Sequence, residues 1–328
     1  LMLEELHDNL LPLISELDDC QLVPTDLQEQ SRDFDSLTAV LNMMESQGIG
    51  RRNDKIIAVG GGALLDVVAF AASIYRRGIN VVKVPTTLLG IVDASIGIKT
   101  GINFLGQRNR IGSYHFNYDV LIDPLLLRGL HPNQVRHGLG ELFKISIIKS
   151  RSLFYKLSEH KDQLEDTEFF STQAGLSIIA ESIQLMLEEL HDNPLELNLM
   201  RSVDFGHSFS PLVEMESLKR SSYRSLPHGF AVAYDCALTT SISYLRGSLL
   251  SDDYDNIMNL LLSFEFDFNN SIYTDHNLLW SSFLEMVRHR GGSQNLPIPI
   301  SIGEYTFIQD LSYSELLNAI QFLASLNA

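Results

Sequence analysis

The stretch Lys55-Ile-Ile-Ala-Val-Gly-Gly-Gly62 decides the fold of this chain. A β-branched run that ends in three glycines predicts a strand and a tight turn, and the apolar residues 64–73 then predict a helix. Residues 79–84 and 118–122 predict two more strands. Because strands that alternate with helices form parallel sheets with right-handed crossovers, the first part of the chain is predicted to be an α/β domain of the nucleotide-binding type.

Helical periodicity dominates after residue 124, where we predict a domain boundary. The α/β domain is thus assigned to residues 1–124 and a helical domain to residues 125–328. Helices are predicted at residues 132–149, 153–164, 172–190, 195–210 and 229–245. Residues 296–300 include two prolines, which are excluded from a helix interior, so they predict an extended segment.

The composition indicates an ordinary globular protein of two domains. Its 328 residues are 45% hydrophobic, but no apolar run is long enough to cross a bilayer. A net charge of −17 opposes binding to nucleic acid or to an anionic membrane. The first residues lack the basic region of a secretory signal, and the two cysteines, Cys20 and Cys236, are widely spaced. We therefore predict a cytoplasmic protein without disulfides.

Positive charge is concentrated in one part of the chain. Residues 76–110 carry six cations and a single acid. Glycines in this region alternate with polar side chains, namely Asp93, Lys99, Asn103, Arg108 and Asn109. Chance clustering on a solvated face, or a surface turn, is the simpler explanation. An island of positive charge in an acidic protein would, however, attract a small anion, and we predict a phosphate site here.

A carboxylate and two imidazoles, each with a glycine neighbour, suggest a metal centre. Glu141, His207 and His228 form a set that suits Zn²⁺ and leaves a position open for substrate. Lys144 lies three residues after Glu141, so the two would share one face of a helix. The alternatives are a surface salt bridge and histidines with structural roles. A further three-residue spacing predicts that Arg201, Asp204 and His207 lie along one helix.

The glycine turn and the end of the second strand are candidates for cofactor binding. Gly60, Gly61 and Gly62 lie between a strand and a helix, which favours a dinucleotide phosphate although the spacing is not G-x-G-x-x-G. Thr86 and Thr87 follow the next strand. Their hydroxyls would either hold a ribose or phosphate, or cap the following helix.

One nonapeptide, LMLEELHDN, occurs at residues 1–9 and again at residues 185–193. Nine identical residues are not a chance match, but no longer period accompanies them, so this is not a repeat protein. The first copy could have arisen by duplication, as a recombination scar or artificially, and the sequence does not distinguish these origins.

Taken together, the motifs resemble the sugar phosphate cyclases, the family of 3-dehydroquinate synthase. The matching stretches follow the family order from about residue 50 onward: Gly60-Gly-Gly-Ala-Leu-Leu-Asp66, Tyr75-Arg-Arg-Gly78, Val84-Pro-Thr-Thr-Leu88, Val92-Asp-Ala-Ser95, Gly97-Ile-Lys-Thr-Gly-Ile-Asn103, Gly138-Leu-Gly-Glu-Leu-Phe-Lys144, Asp204-Phe-Gly-His207 and His228-Gly229. The resemblance implies an N-terminal NAD domain, a C-terminal helical domain, a divalent metal (Zn²⁺ or Co²⁺) and a homodimer that acts on a small sugar phosphate.

The resemblance also implies roles for single residues. The family's metal ligands match Glu141, His207 and His228. Its substrate and phosphate motifs contain or adjoin Arg77, Asp93, Lys99, Arg108, Asn109, Lys144, Arg201 and Asp204. Its cofactor contacts match Gly60, Gly61, Gly62, Asp66, Thr86 and Thr87, with Glu29 and Arg32 near the adenine end.

Two positions resemble one branch of the family. Dehydroquinate synthases have asparagine where this chain has Asp204, and histidine where it has Pro211. The Asp-Phe-Gly-His-Ser-Phe-Ser-Pro form resembles the sedoheptulose 7-phosphate cyclases, which implies a C7 cyclitol of the 2-epi-5-epi-valiolone type, release of phosphate and regeneration of NAD. The alternatives are a 3-dehydroquinate synthase, a metal-dependent polyol dehydrogenase and an inactive homologue. The last arises because we expect the family's first strand unit, which contacts the cofactor ribose, to be missing.

Overall fold

The computed structural model describes residues 23, 25, 27, 29–116, 118–219, 223, 225–266, 268 and 270–326. The first copy of the nonapeptide lies outside these residues, as does the region where we expected the first strand unit to be missing. The chain divides into two compact units between His131 and Pro132. The predicted boundary after residue 124 falls within a short 3-10 turn, Pro124–Leu127, and the assignment to 1–124 and 125–328 stays a prediction.

The first unit is built on a three-stranded parallel sheet. Its helices and strands are α1 (Phe34–Ser46), β1 (Lys55–Gly60), α2 (Gly62–Ile74), β2 (Asn80–Pro85), β3 (Lys99–Phe104), β4 (Gln107–Tyr114) and β5 (Tyr118–Val120). The sheet has the order β1-β2-β5 with both pairs parallel. Strands β3 and β4 form a separate antiparallel pair. The three strands predicted from the sequence thus form the parallel sheet.

Packing fixes helix α2, because it is apolar on nearly every side. Leu65, Val67 and Ala71 have no exposed surface and share one core cluster with Val81 of β2 and Leu37 of α1. Full burial of an aliphatic side chain contributes about 1.5–3 kcal/mol. The helix therefore keeps its position although the glycine that precedes it offers no side-chain cap.

The second unit is helical and contains one β-hairpin. Its helices and strands are α3 (Pro132–Lys149), α4 (Arg151–Glu159), α5 (Gln173–His191), α6 (Ser210–Lys219), α7 (His228–Leu245), α8 (Ser251–Ser263), α9 (His276–His289), β6 (Leu296–Ser301), β7 (Glu304–Ile308) and α10 (Tyr313–Leu326). The predicted order, an α/β domain followed by a helical one, is confirmed. The extended segment at 296–300 is strand β6, and its partner β7 was not predicted. Among the described residues, no helix combines the length and apolarity that a membrane span needs.

The helix predicted at residues 195–210 is wrong. The Asn193 side chain bonds the backbone of Asn198 on both sides, accepting from its N–H at 3.0 Å and donating to its carbonyl at 2.8 Å. Pro194 disfavours a helical conformation in the residue before it. A short 3-10 turn, Ser202–Asp204, is the helical piece that the segment retains. The apolar residues Leu195, Leu197 and Leu199 are exposed, and the segment is buried only from Ser202 onward, so their spacing does not mark the buried face of a helix.

Candidate metal centre and its surroundings

Helices α3 and α7 cross where two glycines meet. A Cβ atom on Gly140 would lie 2.2 Å from the carbonyl oxygen of Gly229, and one on Gly229 would lie 2.1 Å from the carbonyl oxygen of His137. Any side chain at either glycine would therefore push the helices apart. Glu141 follows Gly140 on α3, and His228 precedes Gly229 at the start of α7. The crossing therefore brings these two side chains together, with Nε2 of His228 3.2 Å from Oε1 of Glu141.

The third predicted ligand, His207, comes from an irregular turn rather than from a helix. Gly206, which precedes it, has φ +76°, and a Cβ there would lie 2.8 Å from Sγ of Cys236 on α7. Glycine thus allows both the turn and its close contact with α7. Nε2 of His207 lies 3.7 Å from Oε1 of Glu141. One potential ligand atom from each of Glu141, His207 and His228 lies within 4.8 Å of the other two.

Both imidazole rings are oriented by bonds at their other nitrogen. Nδ1 of His228 lies 3.0 Å from Oε2 of the buried Glu214 on α6. Nδ1 of His207 lies 3.4 Å from the carbonyl oxygen of Phe205. Since both partners are acceptors, Nδ1 carries the proton in each ring and Nε2 offers a lone pair toward Glu141. This arrangement, in which a second group fixes the tautomer of a ligand, is typical of metal-binding histidines.

Glu141 and Lys144 form a buried ion pair beside the two half-buried imidazoles. Nζ of Lys144 lies 2.5 Å from Oε2 of Glu141, and the two side chains are 3% and 2% exposed. Burial alone would raise the pKa of Glu141, but Lys144 and the two histidines outweigh it and hold that pKa well below its ordinary value. Burial, with the charge of Lys144 next in importance, lowers the pKa of His207 well below its ordinary value. A charged carboxylate beside a neutral imidazole is the state in which both bind a metal.

A divalent cation fits this group chemically. Although Lys144 and His228 lie close, neither carboxylate oxygen of Glu141 accepts a hydrogen bond of normal geometry. Buried polar atoms nearly always have a partner. One carboxylate and two imidazoles are also the donor set that Zn²⁺ accepts while keeping a position for substrate. Glu141, His207 and His228 could therefore hold such an ion.

Asp204 lies between two arginines. One carboxylate oxygen contacts Arg201, which also contacts Glu196, and the other lies 3.2 Å from Nε of Arg290. Asp204 and Arg290 are both buried. Arg201 and Asp204 were predicted as site residues, but Arg290, which follows the last turn of α9, was not. Arg290 follows Arg288 and His289 in the sequence, and nothing local distinguishes it from them because its partner lies far away.

The start of helix α6 is capped from α7. The carboxylate of Asp235 accepts hydrogen bonds from the backbone N–H groups of Phe209 and Ser210, at 2.6 and 2.9 Å, and from the hydroxyl of Thr239. Burial raises the pKa of Asp235 to about 6. Pro211 stands in the first turn of α6, where a missing N–H costs nothing. Asp235 and Glu214 were not predicted as site residues, although Asp235 had a signal as the one acid of an apolar helix.

In the first unit, the glycine turn packs closely against the segment that follows β2. A Cβ on Gly62 would lie 3.1 Å from that of Ala94, and one on Gly61 would lie 3.3 Å from Cγ2 of Thr87. The Thr87 hydroxyl accepts a hydrogen bond from the N–H of Gly90 at 3.0 Å, which is the capping role. The backbone N–H of Thr86 donates to the carbonyl of Gly60. These contacts account for the glycines through packing, and their role in cofactor binding stays a prediction.

The predicted adenine-end residues join a polar cluster. Arg32 is buried, lies 2.6 Å from Oδ2 of Asp66 and 3.5 Å from Oε2 of Glu29, and donates to the carbonyl of Gly101 at 3.0 Å. Burial raises the pKa of Asp66, against the opposing effect of Arg32. Arg108 approaches Glu29 at 3.8 Å. The structure thus brings together Glu29, Arg32, Asp66 and Arg108, which were assigned to cofactor and phosphate.

The other predicted phosphate residues are spread over the first unit. Asn109 has φ +51°, and its N–H donates to the side chain of Asn103. Lys99 is exposed at the first residue of β3, and Arg77 is exposed with φ +66°. Asp93 is half-buried in a π-helical turn, Gly90–Ala94. Their roles stay predictions.

Two family models match consecutive parts of the chain, from residue 22 to residue 289. The model for the 3-dehydroquinate synthase N-terminal domain matches residues 22–137, and that for the C-terminal domain matches residues 138–289. The chain belongs to the 3-dehydroquinate synthase family. This finding confirms the resemblance stated from the motifs.

Relatives within the 3-dehydroquinate synthase family carry several names. A 2-epi-5-epi-valiolone synthase from Streptomyces albus is 40% identical over 307 residues, which cover 92% of this chain and 73% of the relative. A demethyl-4-deoxygadusol synthase from Trichormus variabilis is 32% identical, over 92% of this chain and 73% of its own length. A 3-dehydroquinate synthase from Helicobacter pylori is 29% identical, over 89% and 81%.

Two solved structures have the same fold. ValA, a 2-epi-5-epi-valiolone synthase from Streptomyces hygroscopicus subsp. jinggangensis with NAD⁺ and Zn²⁺ bound, is 36% identical with a TM-score of 0.87, over 92% of this chain and 82% of ValA. A 2-deoxy-scyllo-inosose synthase with carbaglucose-6-phosphate, NAD⁺ and Co²⁺ has a TM-score of 0.80, over 98% and 88%. At 18% identity, this second likeness shows the fold alone.

Proposed function

We propose that this chain is a sugar phosphate cyclase that converts sedoheptulose 7-phosphate into 2-epi-5-epi-valiolone and releases phosphate, with catalytic NAD and one Zn²⁺ ion. Its reaction class is that of a carbon–oxygen lyase acting on a phosphate. The observation that carries the proposal is the group of Glu141, His207 and His228 beside the buried Lys144. The 40% identity to a 2-epi-5-epi-valiolone synthase supports the choice of substrate.

The side chains of the second unit would hold and prepare the metal. When bound, Zn²⁺ supplies Lewis-acid polarisation and NAD supplies a reversible hydride acceptor. Glu141, His207 and His228 are the proposed ligands. Glu214 fixes the tautomer of His228, and Lys144 keeps the carboxylate charged before the ion arrives. Lys144 also places a buried positive charge at the site, which favours an anionic substrate.

Residues of both units are proposed to bind substrate and cofactor. For the phosphate and the sugar we propose Arg77, Asp93, Lys99, Arg108, Asn109, Lys144, Arg201 and Asp204. For NAD we propose Gly60, Gly61, Gly62, Asp66, Thr86, Thr87, Glu29 and Arg32. Cations hold a phosphate ester through charge-assisted hydrogen bonds until it leaves, which accounts for the basic character of residues 76–110.

Product analysis tests the proposed reaction. The purified protein is incubated with sedoheptulose 7-phosphate, NAD⁺ and Zn²⁺, and phosphate, NADH and product mass are followed together. We expect equal amounts of phosphate and cyclitol with no net NADH. Glu141→Gln should abolish phosphate release, whereas Glu188→Gln, at an exposed carboxylate on α5, should leave it unchanged. Net NADH without phosphate would contradict the proposal and indicate a polyol dehydrogenase.

A 3-dehydroquinate synthase is the second candidate, because relatives of that name are 29–31% identical to this chain. Asp204 and Pro211 oppose it, since dehydroquinate synthases have asparagine and histidine there. Parallel incubation with the substrate of 3-dehydroquinate synthase separates the two. If phosphate were released from the substrate of 3-dehydroquinate synthase and not from sedoheptulose 7-phosphate, the proposed function would be wrong and the chain would be a 3-dehydroquinate synthase.

Assembly and location complete the proposal. We expect the homodimer that is usual in the family, and light scattering coupled to gel filtration measures it directly. A cytoplasmic location stays a prediction, which rests on the small number and wide spacing of the cysteines.

A further inference from the structure

The segment that presents His207 has little regular structure of its own. It consists of a 3-10 turn, Ser202–Asp204, and the left-handed Gly206, and helix α6 begins only at Ser210. A loop of this kind does not by itself hold a side chain within the few tenths of an ångström that a metal ligand needs. Contacts from other elements must therefore fix the position of His207.

One buried guanidinium contacts this segment on both sides of His207. Nε of Arg290 lies 3.2 Å from Oδ2 of Asp204, three residues before the histidine. Nη2 of Arg290 donates to Oγ of Ser208, directly after the histidine, at 3.1 Å. Its remaining nitrogen, Nη1, donates to the carbonyl of Gln294 at 2.9 Å. A rigid, planar group with three bonds in different directions thus spans the two flanks of His207.

Burial of the charged Arg290 side chain costs desolvation free energy, so its contacts need an explanation other than stability. Its side chain is 3% exposed, and that of Asp204 is 7% exposed. A buried ion pair of this kind adds little net stability compared with apolar residues of similar size. What an apolar side chain could not supply is the directed pair of contacts to Asp204 and Ser208. The planar fork of arginine is suited to such contacts, whereas lysine offers a single point charge.

We propose that Arg290 is a positioning residue of the metal centre, which holds His207 in its metal-binding position by bridging Asp204 and Ser208. The inference rests on the metal centre of the proposed function. It adds a residue outside the predicted ligand, substrate and cofactor sets. It also gives Asp204 a role as the anionic anchor of the bridge.

Metal affinity without substrate tests the inference. Zn²⁺ affinity is measured by competition with a chromophoric chelator, and Co²⁺-loaded protein gives a visible spectrum that reports ligand geometry. We expect Arg290→Met to weaken Zn²⁺ binding about 10–100-fold and to change the Co²⁺ spectrum. The Zn²⁺ affinity of Arg290→Lys should lie between those of wild type and Arg290→Met, because lysine keeps the positive charge but lacks the planar, forked guanidinium group.

Arg246→Met is the matched control. Arg246 also follows the last turn of a helix, α7, and bonds two carboxylates, Asp310 at 2.7 Å and Glu315 at 2.8 Å. Neither partner belongs to the His207 segment. Its loss should lower stability and leave Zn²⁺ affinity and the Co²⁺ spectrum unchanged.

A milder variant keeps the test decisive if Arg290→Met does not fold. Ser208→Ala removes a single contact of the bridge and should weaken Zn²⁺ binding by about tenfold, the lower end of the effect expected for an outer partner of a ligand. Wild-type affinity and spectrum in folded Arg290→Lys and Ser208→Ala proteins would overturn the inference. A wild type that binds Zn²⁺ but forms no cyclitol would overturn the proposed function alone, so the two failures are distinguishable.

Discussion

Gly140 and Gly229 meet backbone to backbone, and this contact makes the candidate metal centre possible. A Cβ on Gly140 would lie 2.2 Å from the carbonyl oxygen of Gly229. The side chains of Glu141 and His228, each next to one of these glycines, are therefore brought to 3.2 Å from each other. The centre is thus a consequence of how closely two long helices cross.

Gly140→Ala should separate these helices and weaken metal binding. The obstructing atom is backbone rather than a flexible side chain, so we expect a loss of about 3 kcal/mol in unfolding free energy together with weaker Zn²⁺ binding. Gly247→Ala is the control, since a Cβ there meets nothing within 4 Å and φ is +72°. It should cost about 1–2 kcal/mol through its backbone alone and leave Zn²⁺ affinity intact. Denaturant unfolding and chelator competition measure both effects, and equal Zn²⁺ affinities in the two variants would contradict the prediction.

Glu214→Ala should reduce metal affinity without removing a ligand. Glu214 accepts from Nδ1 of His228, and loss of such a partner typically costs about 10–100-fold in affinity. Glu214→Gln keeps an acceptor oxygen and should cost less. Glu216→Ala removes a carboxylate on the same helix, whose partner is Lys219, and should have no effect. Titration with Zn²⁺ measures these affinities. A lower affinity in Glu214→Gln than in Glu214→Ala would contradict the orienting role of Glu214.

Lys144→Met should destabilise the metal-free protein far more than Lys149→Met. Removing one partner of a fully buried pair leaves the other charge uncompensated, at a cost of about 3–5 kcal/mol. Lys149 pairs with Glu189 at 2.7 Å, but both side chains are partly exposed, so its loss should cost about 1 kcal/mol. Added Zn²⁺ should restore part of the stability of Lys144→Met, because the ion neutralises Glu141. Urea unfolding with and without Zn²⁺ measures this, and equal losses in the two variants would contradict it.

Asp235 should make stability depend on pH in a defined window. Its pKa is raised from 3.8 to about 6 by burial, so the folded state holds this proton more tightly than the unfolded state. The resulting stability is complete below pH 3.8 and is lost as the pH rises through about 6. The unfolding free energy of wild type, relative to Asp235→Asn, should therefore fall by about 2–3 kcal/mol between pH 4 and pH 7.

The asparagine variant is a suitable reference for that measurement. Its amide oxygen can accept from Phe209 and Ser210, and its NH₂ group can donate to the Thr239 hydroxyl. Other carboxylates titrate equally in both proteins and cancel in the difference. A difference that is flat across this range, or that grows with pH, would show that Asp235 is not held in its neutral form.

The sequence predicted the elements whose pattern is local. The run from Lys55 to Gly62 has both a strand pattern and a glycine turn, and it became β1 and the start of α2. Helices α3, α5 and α7 were predicted within a few residues for the same reason. The helix at residues 195–210 failed because Asn193 and Pro194 end regular structure there in favour of side-chain bonds to the backbone.

The candidate site was predictable in its ligands but not in its supports. Glu141, His207 and His228 stand in motifs with glycine neighbours, and the structure brings them together. Glu214, Asp235 and Arg290 act on segments that lie 14 to 86 residues away. Asp235 is the one acid of an apolar helix, whereas Glu214 and Arg290 have charged residues nearby. In each case the partner is decided by the tertiary fold. A pattern along one chain therefore gives no means to choose that partner.

Anomalous diffraction at the zinc edge, from crystals of the protein grown with Zn²⁺, tests the central claim most directly. We predict one strong peak bonded at about 2.0–2.2 Å to one Glu141 oxygen and to Nε2 of His207 and His228. A protein whose zinc is bound elsewhere, or by fewer than these three side chains, would contradict the account.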